Sequence, residues 1–246
     1  MTDRQTGSSD TPISVVVPAL NEGIGLGRFL AGLTAAGFHE IVVVDNGSTD
    51  DTLRVASRHR GVRVEYATGG RGPALNAGAR ATTAEYLLFV HADTALPPGA
   101  AATINAAFAD ANVAGGCFRL SFDNPSALLR FYGWFTRFDT AFTTFGDQAY
   151  FVRRGTFEDV GGFPNWPIME DVEFRRRLKR AGRFVKLSGA VVTSARRFDE
   201  RGAVRQQLEN FVLMILYYLG LPPQRIARWY RAEPPAPAST KVCSPP

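Results

Sequence analysis

The sequence is poor in cysteine and contains no apolar run long enough to cross a lipid bilayer. Its two cysteines, Cys117 and Cys243, fall in a predicted strand and in a Pro-rich stretch near the end, so no structural disulfide is expected and a reducing cytoplasm is the predicted location. The apolar run FVLMILYYLGL is about eleven residues long, whereas a transmembrane helix needs roughly twenty. These absences argue against a disulfide scaffold and a membrane-spanning protein.

Two glycine fingerprints of nucleotide-binding proteins are absent as well. The first predicted strand ends at Pro18 and is not followed by GxGxxG, and the segment TGGRGPALNAGARA lacks the Lys-Ser/Thr pair of a P-loop. The missing GxGxxG weighs against an NAD(P)-dependent oxidoreductase, although the opening strand, loop and helix fit that class too. An oxidoreductase therefore stays as an alternative.

The composition predicts one sizeable folded region with tails. The chain has 246 residues, of which 45% are hydrophobic and 21% charged, enough to bury a large core. Residues 1–11 are polar and residues 232–246 are Pro-rich, so both are predicted to be disordered. A main domain is predicted at 12–200 and C-terminal helices at 201–231.

Positive charge is concentrated in the last third of the chain. Residues 170–231 contain 14 Lys or Arg and 6 Asp or Glu, although the net charge of the whole chain is only +5. Such a region suits a phosphate-bearing ligand, an anionic membrane surface or nucleic acid. Nucleic acid ranks last, because the aromatic platform of a single-strand binder is missing. For the helices near the end, core packing is the default, and a dimer contact or a peripheral contact with the inner face of the membrane stays open.

Strands, polar loops and helices alternate from the beginning of the chain. Apolar strands are predicted at 13–17, 41–44 and 62–66, and a helix follows each of them. The second helix is predicted to be capped by Ser48 or Thr49. This alternation is typical of right-handed parallel α/β units, whose polar loops lie on one edge of the sheet.

The stretch YLLFVHADT at 86–94 is predicted to be a strand in the centre of a parallel sheet. Its apolar residues run continuously into His91, Ala92 and Asp93, which is typical of a strand buried on both faces. A carboxylate at the carboxyl end of such a strand is well placed to bind a metal or a hydroxyl, which makes Asp93 a functional candidate. The alternative is an aspartate that only caps the next turn.

The glycine-rich segment after the third strand is a second candidate. Gly69, Gly70 and Gly72 allow a ligand to approach the backbone closely, Arg71 can pair with a phosphate, and the following helix carries Asn76. By itself the pattern is equally compatible with a helix that needs a flexible entry.

An acidic pair is the third candidate. Glu170 and Asp171 begin a predicted helix, directly after a loop that contains Trp166 and two prolines. A rigid, apolar approach favours a general base, because partial desolvation raises the pKa of a carboxyl group towards the working range. The alternative is structural, because the helix dipole stabilises acidic residues in the first turn.

Aromatic residues dominate the segment from 128 to 145. Their spacing of three or four residues predicts a helix whose aromatic face is either core or a surface for an apolar partner, a membrane or an acceptor. Asp147 and Gln148 follow this segment and precede a short predicted strand.

Five motifs resemble those of family 2 glycosyltransferases with the GT-A fold, over roughly residues 11–198. They are VVVPALNE, VVVDNGSTDDT, GGRGPALNAGA, LLFVHADT and GGFPNWPIMEDVEFRRRLKRAG. The resemblance implies a Rossmann-like α/β fold with a mostly parallel central sheet flanked by helices. The motifs HADT, GDQAYFVRR and VVTSARRF are further similar to a bacterial subgroup known as radical SAM and selenodomain-associated transferase 2, or arsenosugar-biosynthesis glycosyltransferase.

The family implies a nucleotide-sugar donor, predicted to be a UDP-sugar, bound across the first half of the sheet. Asp45 would bind the base edge, and Arg71 and Asn76 would face the ribose and diphosphate. Arg196 or Arg197 would neutralise charge on the leaving diphosphate. The full predicted donor-binding set is Pro18, Ala19, Asn21, Glu22, Asp45, Arg71, Asn76, Ala92, Asp93, Arg196 and Arg197.

The family also implies a divalent metal, Mg²⁺ or Mn²⁺. Most members have Asp-x-Asp at the position of HAD, with the metal held mainly by the second acid. Here His91 replaces the first acid, so Asp93 is the sole carboxylate ligand and His91 the second predicted ligand.

The implied reaction is an inverting single displacement. Asp171 would deprotonate an acceptor hydroxyl, which attacks the anomeric carbon from the face opposite the diphosphate, while Glu170 would orient the site. Trp166, Asp147 and Gln148 are predicted to bind an acceptor of unknown identity. A non-catalytic module that binds a nucleotide sugar is the second alternative, because fold alone does not establish catalysis.

Overall fold

The computed structural model of the protein describes residues 11–195 and 203–231. Its strands are β1 (Ile13–Ala19), β2 (Glu40–Asp45), β3 (Val62–Tyr66), β4 (Tyr86–Phe89), β5 (Thr94–Ala95), β6 (Val113–Phe122), β7 (Tyr150–Arg153) and β8 (Arg183–Thr193). Within the described residues these eight strands form one sheet in the order β3-β2-β1-β4-β7-β6-β8-β5. The predicted tails lie outside the described residues, apart from residue 11.

Helices cover the sheet. They are α1 (Gly23–Ala35), α2 (Thr52–Arg58), α3 (Arg71–Ala81), α4 (Ala100–Phe108), α5 (Ala127–Phe135), α6 (Arg154–Asp159), α7 (Glu170–Ala181), α8 (Ala203–Tyr218) and α9 (Pro223–Arg231). The α/β architecture with a mostly parallel sheet, flanking helices and helices near the C-terminus is confirmed.

The first half of the sheet is parallel because the sequence supplies strands that are apolar on both faces. β1 pairs in parallel with β2 and β4, and β2 pairs in parallel with β3. Val15 to Val17 and Val42 to Val44 are completely buried. Helix α3 packs closely on this layer, because a Cβ at Gly78 would lie 2.3 Å from the side chain of Val16.

The strand predicted at the centre of a parallel sheet lies instead at a boundary. β4 is parallel to β1 on one side and antiparallel to β7 on the other, and it ends at Phe89. The residues HAD therefore lie in a loop rather than in the strand. The continuous apolar run correctly indicated burial on both faces, but burial does not determine the direction of the neighbouring strand.

The second half of the sheet contains an irregular pairing. Residues 183–187 and 190–193 lie on either side of a Ser-Gly pair, but both belong to one strand, β8. Cys117 of β6 pairs with Lys186 and Arg119 pairs with Ala190, so three residues of β8 oppose one of β6. The Ser-Gly pair lies in this bulge, which is a common position for glycine in a strand.

The start of α2 also differs from the prediction. The helix begins at Thr52 and its N-cap is Asp51, not Ser48 or Thr49. The carboxylate of Asp50 instead accepts hydrogen bonds from the backbone N–H groups of Gly23 and Thr52, both at 3.0 Å. It thereby joins the loops after β1 and β2 at the edge where the cleft lies.

The C-terminal helices contribute one buried face each. Leu213 and Met214 of α8 and Ile226 of α9 pack with Met169 and Val172 around the start of α7. The other face of the apolar run is exposed, since Phe211 is 50% exposed and Ile215 is also on the surface. No helix in residues 11–195 or 203–231 is both long enough and apolar enough to cross a membrane.

The aromatic segment at 128–145 is mostly surface. Phe131 is 61% exposed, and Trp134, Phe135, Phe138 and Phe142 are exposed as well. Core packing, the usual interpretation of aromatics at helical spacing, is wrong for these five side chains.

Candidate active site

A cleft of about 560 Å³ lies at the carboxyl ends of β1 and β4 and is closed from the other side by the loop before α7 and by α8. The volume falls in the usual range for small-molecule sites. Nine of the predicted site residues line it. They are Pro18, Ala19, Glu22, Arg71, His91, Ala92, Asp93, Asp147 and Asp171.

Asp93 is held in the cleft by contacts between two parts of the sheet. Its side-chain Oδ1 accepts a hydrogen bond from the hydroxyl of Thr94 at 3.3 Å, and its carbonyl accepts one from the N–H of Ser194 at 3.2 Å. Thr94 pairs with Thr193 where β5 meets the end of β8. The loop is therefore fixed to the far half of the sheet.

Arg71 and the acidic pair form one ion-paired group. The guanidinium of Arg71, the first residue of α3, pairs with Glu170 Oε1 through Nε and with Asp171 Oδ1 through Nη2, the latter at 3.4 Å. The Glu170 side chain is 3% exposed and that of Asp171 is 10% exposed. Burial alone would lower the pKa of Arg71, but the two carboxylates outweigh it and raise the pKa above its ordinary value.

Asp171 is oriented by a second donor. Its Oδ2 accepts the backbone N–H of Gly146 at 2.7 Å, and a Cβ at Gly146 would lie 3.0 Å from the Cβ of Asp171. The glycine thus allows the chain between the aromatic segment and β7 to approach the acidic residue closely. Arg71 and Gly146 together fix one oxygen each, and the carboxylate faces the cleft.

Asp147 is the third carboxyl group of the cleft. Its Oδ1 is buried and has no hydrogen-bond partner among the described residues. Burial raises the pKa of Asp147 to about 6, and the negative charges of Asp171 and Asp93 act in the same direction while Arg71 opposes them. A carboxyl group in this state can exchange a proton near neutral pH.

Helix α3 braces the loop that carries the acidic pair. Asn76 accepts the N–H of Phe163 at 2.9 Å and donates to its carbonyl at 2.8 Å. A Cβ at Gly72 would lie only 2.5 Å from the carbonyl oxygen of Pro164. The glycine-rich segment therefore helps to position the residues before α7. This structural role was not predicted from the sequence.

The remaining predicted residues do not line the cleft. Asp45 is 3% exposed and accepts the N–H groups of Gly47 and Ser48, so its neighbour Asn46 lines the cleft instead. The side-chain oxygen of Asn21 accepts the N–H of Thr49 at 2.9 Å.

Other predicted side chains also have internal partners. Asn76 binds Phe163 as described, and Glu170 is paired with Arg71. Gln148 is completely buried and donates to the carbonyl of Thr143 at 2.8 Å. Trp166 lies beside Tyr217, with 6.3 Å between ring centroids. In the structure these side chains support the loops around the cleft. Arg196 and Arg197 lie outside the described residues.

Sequence analysis missed the wall supplied by the C-terminal helices. Gln206, Asn210 and Met214 of α8 line the cleft, as does Tyr230 of α9. Their residue types do not distinguish them as site residues, although the basic charge of this third of the chain indicated a ligand nearby.

Two left-handed residues next to the site were also missed. Met169 (φ 66°) immediately precedes the acidic pair, and Ala149 (φ 53°) closely follows Asp147. Such conformations cost of order 1–3 kcal/mol for residues other than glycine and cluster at functional sites. Because neither position carries a glycine, no sequence signal could have identified them.

The residues present fit a partial ligand set for a divalent cation. Asp93 and His91 both line the cleft, and no group of three or more His, Cys, Asp or Glu suitable for a metal occurs within residues 11–195 and 203–231. Mg²⁺ is commonly bound by one or two carboxylates together with substrate phosphates and water. The donor set thus fits a metal that arrives with a phosphorylated ligand.

The chain is similar to glycosyltransferases of known sequence and structure. The family model for glycosyl transferase family 2 matches residues 14–158. An uncharacterised glycosyltransferase of Mycobacterium tuberculosis is 39% identical over 87 residues, which is 35% of this chain and 39% of that relative's length. The match therefore spans well under half of that relative.

Solved structures show the same fold at low identity. A mannosyltransferase from Pyrobaculum calidifontis in complex with GDP-Man and Mn²⁺ has a TM-score of 0.63 at 21% identity, covering 86% of this chain and 65% of that one. TarS 1-349 of S. aureus in complex with UDP-GlcNAc has a TM-score of 0.59 at 20% identity, covering 74% and 58%. At this identity the likeness establishes the fold alone.

Proposed function

The chain belongs to glycosyl transferase family 2, and from that premise we propose that it transfers a sugar from a nucleotide-sugar donor to an acceptor hydroxyl with inversion at the anomeric carbon. The observation that carries the proposal is the convergence of Asp93 and Asp171 on one cleft. These residues lie 78 positions apart and come from opposite halves of the fold. UDP-sugars are the proposed donors, as TarS was solved with UDP-GlcNAc.

Asp171 is the proposed general base. It removes the proton of the acceptor hydroxyl as the oxygen attacks the anomeric carbon, and the bond from that carbon to the diphosphate breaks with the electron pair leaving on the diphosphate. The contacts of Asp171 with Arg71 and Gly146 support this role, because a positioned base must be held in one orientation. Glu170 acts through Arg71 rather than directly, since it is buried beneath the guanidinium.

The first wall of the cleft is the proposed donor site. Pro18, Ala19 and Glu22 follow β1 and would contact the nucleoside. Asp93 and His91 would hold a divalent cation, which when bound would offset negative charge on the diphosphate oxygens. Metal-bound structural neighbours, including the mannosyltransferase with Mn²⁺, support this assignment.

Two further assignments belong to this proposal. The similarity of HADT, GDQAYFVRR and VVTSARRF supports membership of the radical SAM and selenodomain-associated transferase 2 subgroup, and Asp147 is proposed to contact the acceptor. A cytoplasmic location is also part of the proposal, and the low cysteine content of the sequence supports it.

A donor panel tests the proposed function. The protein is incubated with Mg²⁺ or Mn²⁺ and UDP-, GDP- or dTDP-sugars, and released nucleoside diphosphate is measured. We expect release from at least one UDP-sugar, together with thermal stabilisation by UDP. Stabilisation by NAD(P) without any by a nucleoside diphosphate would favour the oxidoreductase alternative. Donor binding without release, even with acceptor mixtures, would favour the non-catalytic module.

A further inference from the structure

We propose that the acceptor is an amphiphile, with a hydroxyl-bearing head at Asp171 and an apolar chain that lies in a groove between α5 and α8. The inference rests on the proposed function and names the chemical class of its acceptor. The apolar groove is a cavity of about 460 Å³. Its walls include Leu129, Phe131 and Phe135 on one side and Leu208 and Phe211 on the other.

The apolar groove adjoins the catalytic cleft. Tyr132, Phe145, Asn210 and Met214 line both cavities. The proposed ligand therefore occupies two neighbouring cavities, with its head among the carboxylates of the cleft and its chain in the groove. This shared wall distinguishes the groove from an apolar patch elsewhere on the surface.

The two cavities differ in the charge of the residues that line them. The cleft contains Arg71, Asp93, Asp147 and Asp171, whereas none of the described residues that line the apolar groove carries a charge. A molecule that fills both must be polar at one end and apolar at the other. This pattern matches a sugar or alcohol head attached to a hydrocarbon chain, because apolar area gains free energy by leaving water.

The groove is fixed in position relative to the proposed base. Asp139, in the aromatic segment, accepts hydrogen bonds from Arg175 Nε and Lys179 Nζ of α7, each at 2.9 Å. Phe142 and Phe211 bring the two walls together, with 5.5 Å between ring centroids. A hydrocarbon chain bound in the groove would therefore set the distance between its polar head and Asp171. Asp171 lies in the first turn of α7.

The shape favours a chain over a flat partner. The lining side chains surround a concave groove, while Trp134 and Phe138 are exposed beside it and do not line it. A bilayer surface or a second copy of the protein would cover these outer aromatics as well. The chain hypothesis therefore predicts that only the lining residues affect binding.

The test compares two probes that differ only in the chain. Binding of n-octyl β-D-glucoside, used below its micelle concentration, and of methyl β-D-glucoside is measured by titration calorimetry with the full protein. Because each buried methylene adds to affinity, we expect the octyl compound to bind at least about tenfold more tightly. Equal affinities would overturn the inference.

Substitutions in the apolar groove test whether the hydrocarbon chain of the probe binds there. Phe131→Gln/Phe211→Gln and, separately, Leu208→Gln should each lower the octyl preference several-fold, and melting temperatures should confirm folding because all three side chains are at least half exposed. Phe138→Gln is the matched control, since it removes a phenylalanine of similar exposure outside the groove, and it should keep the preference. An octyl preference that survives in both groove variants would overturn the inference.

Other occupants give different results. Flotation with phosphatidylglycerol vesicles that Phe138→Gln weakens as much as the groove variants, without an octyl preference, would assign the surface to a membrane. A dimer in sedimentation that Phe131→Gln/Phe211→Gln dissociates, again without an octyl preference, would assign it to a second copy. Either outcome overturns the chain hypothesis. Nucleoside diphosphate release from the donor panel is independent of all three, so the proposed function can stand while this inference fails.

Discussion

The charged cleft and the apolar groove are neighbouring cavities with a shared wall, but they are held together by different forces. In the cleft, Arg71 and Glu170, 99 positions apart in the chain, form an ion pair that is largely buried. In the groove, Phe131 and Leu208 are more than 60% exposed, and the walls touch through aromatic contacts. The cleft is therefore preorganised by electrostatics, while the groove gains most when a ligand covers it.

This difference has a consequence for substitutions. Removing a charge from the cleft leaves its partner buried and unsatisfied, which costs free energy even before any ligand binds. Removing an exposed apolar side chain from the groove leaves nothing unsatisfied, and surface changes of this kind usually alter stability by less than about 0.5 kcal/mol. Stability should thus report on the cleft and ligand affinity on the groove.

The largest expected effect separates chemistry from binding. Asp171→Asn should lower the rate of transfer by about 10²–10⁴-fold, the usual contribution of a general base, while donor affinity changes little. Transfer is measured with the donor identified in the panel, and affinity by calorimetry. Octyl glucoside binding should also persist if the two ends act separately. Asp159→Asn, an exposed carboxylate on α6, is the control; equal turnover by both variants would place the base elsewhere.

A smaller effect concerns the stability of the charged end. Arg71→Met should lower the free energy of unfolding by about 2–3 kcal/mol, because Glu170 stays buried without its partner. A fully buried pair would lose more, but the Arg71 side chain is 37% exposed. Urea unfolding measures the change.

Arg54→Met is the matched control for that measurement. Arg54 pairs with Asp51 on the surface, with both side chains more than half exposed, so its loss should lower the free energy of unfolding much less than the loss of Arg71. Similar losses in both variants would show that burial of Glu170 does not distinguish the cleft from the rest of the surface.

The fold was predictable where local pattern and burial agree. Strands β1 to β3 and helix α7 follow directly from apolar runs and from the acidic start of the helix. The direction of β7 beside β4 was not predictable, because an apolar strand is buried equally well against a parallel or an antiparallel neighbour. The bulge in β8 was not predictable for a related reason, because it depends on the register between β8 and β6.

The charged cleft was more predictable than the apolar groove. Asp93, Arg71 and Asp171 were predicted because five motifs together resemble those of a known family, although each residue alone also had a structural interpretation. The groove was not, because aromatics at helical spacing usually indicate core, and only tertiary packing shows that Phe131 faces solvent. The predicted role of Asn76 in donor binding is a different case. Its amide could bind a ligand, but in the structure it forms hydrogen bonds with the backbone of Phe163.

The smallest expected effect concerns Asp147, whose raised pKa makes the charged end dependent on pH. The pKa of this carboxyl rises from its ordinary value of 3.8 to about 6, first through burial and then through the charges of Asp171 and Asp93. Between these two values the native state binds more protons than the unfolded state. Stability from this group is therefore fully present below pH 4 and is lost as the pH rises through 6.

Asp147→Asn removes this dependence, because the amide is neutral at every pH. At pH 7.5 the variant should be more stable than the parent protein by at most about 3 kcal/mol, since the pKa difference of about two units corresponds to about 1.4 kcal/mol per unit. The gain should shrink as urea unfolding is repeated at pH 6, 5 and 4.5. A gain that is constant with pH would mean that Asp147 is not the titrating group. Phe131→Gln in the groove should show no such trend, because neither side chain titrates, and a matching trend there would break the contrast between the two ends.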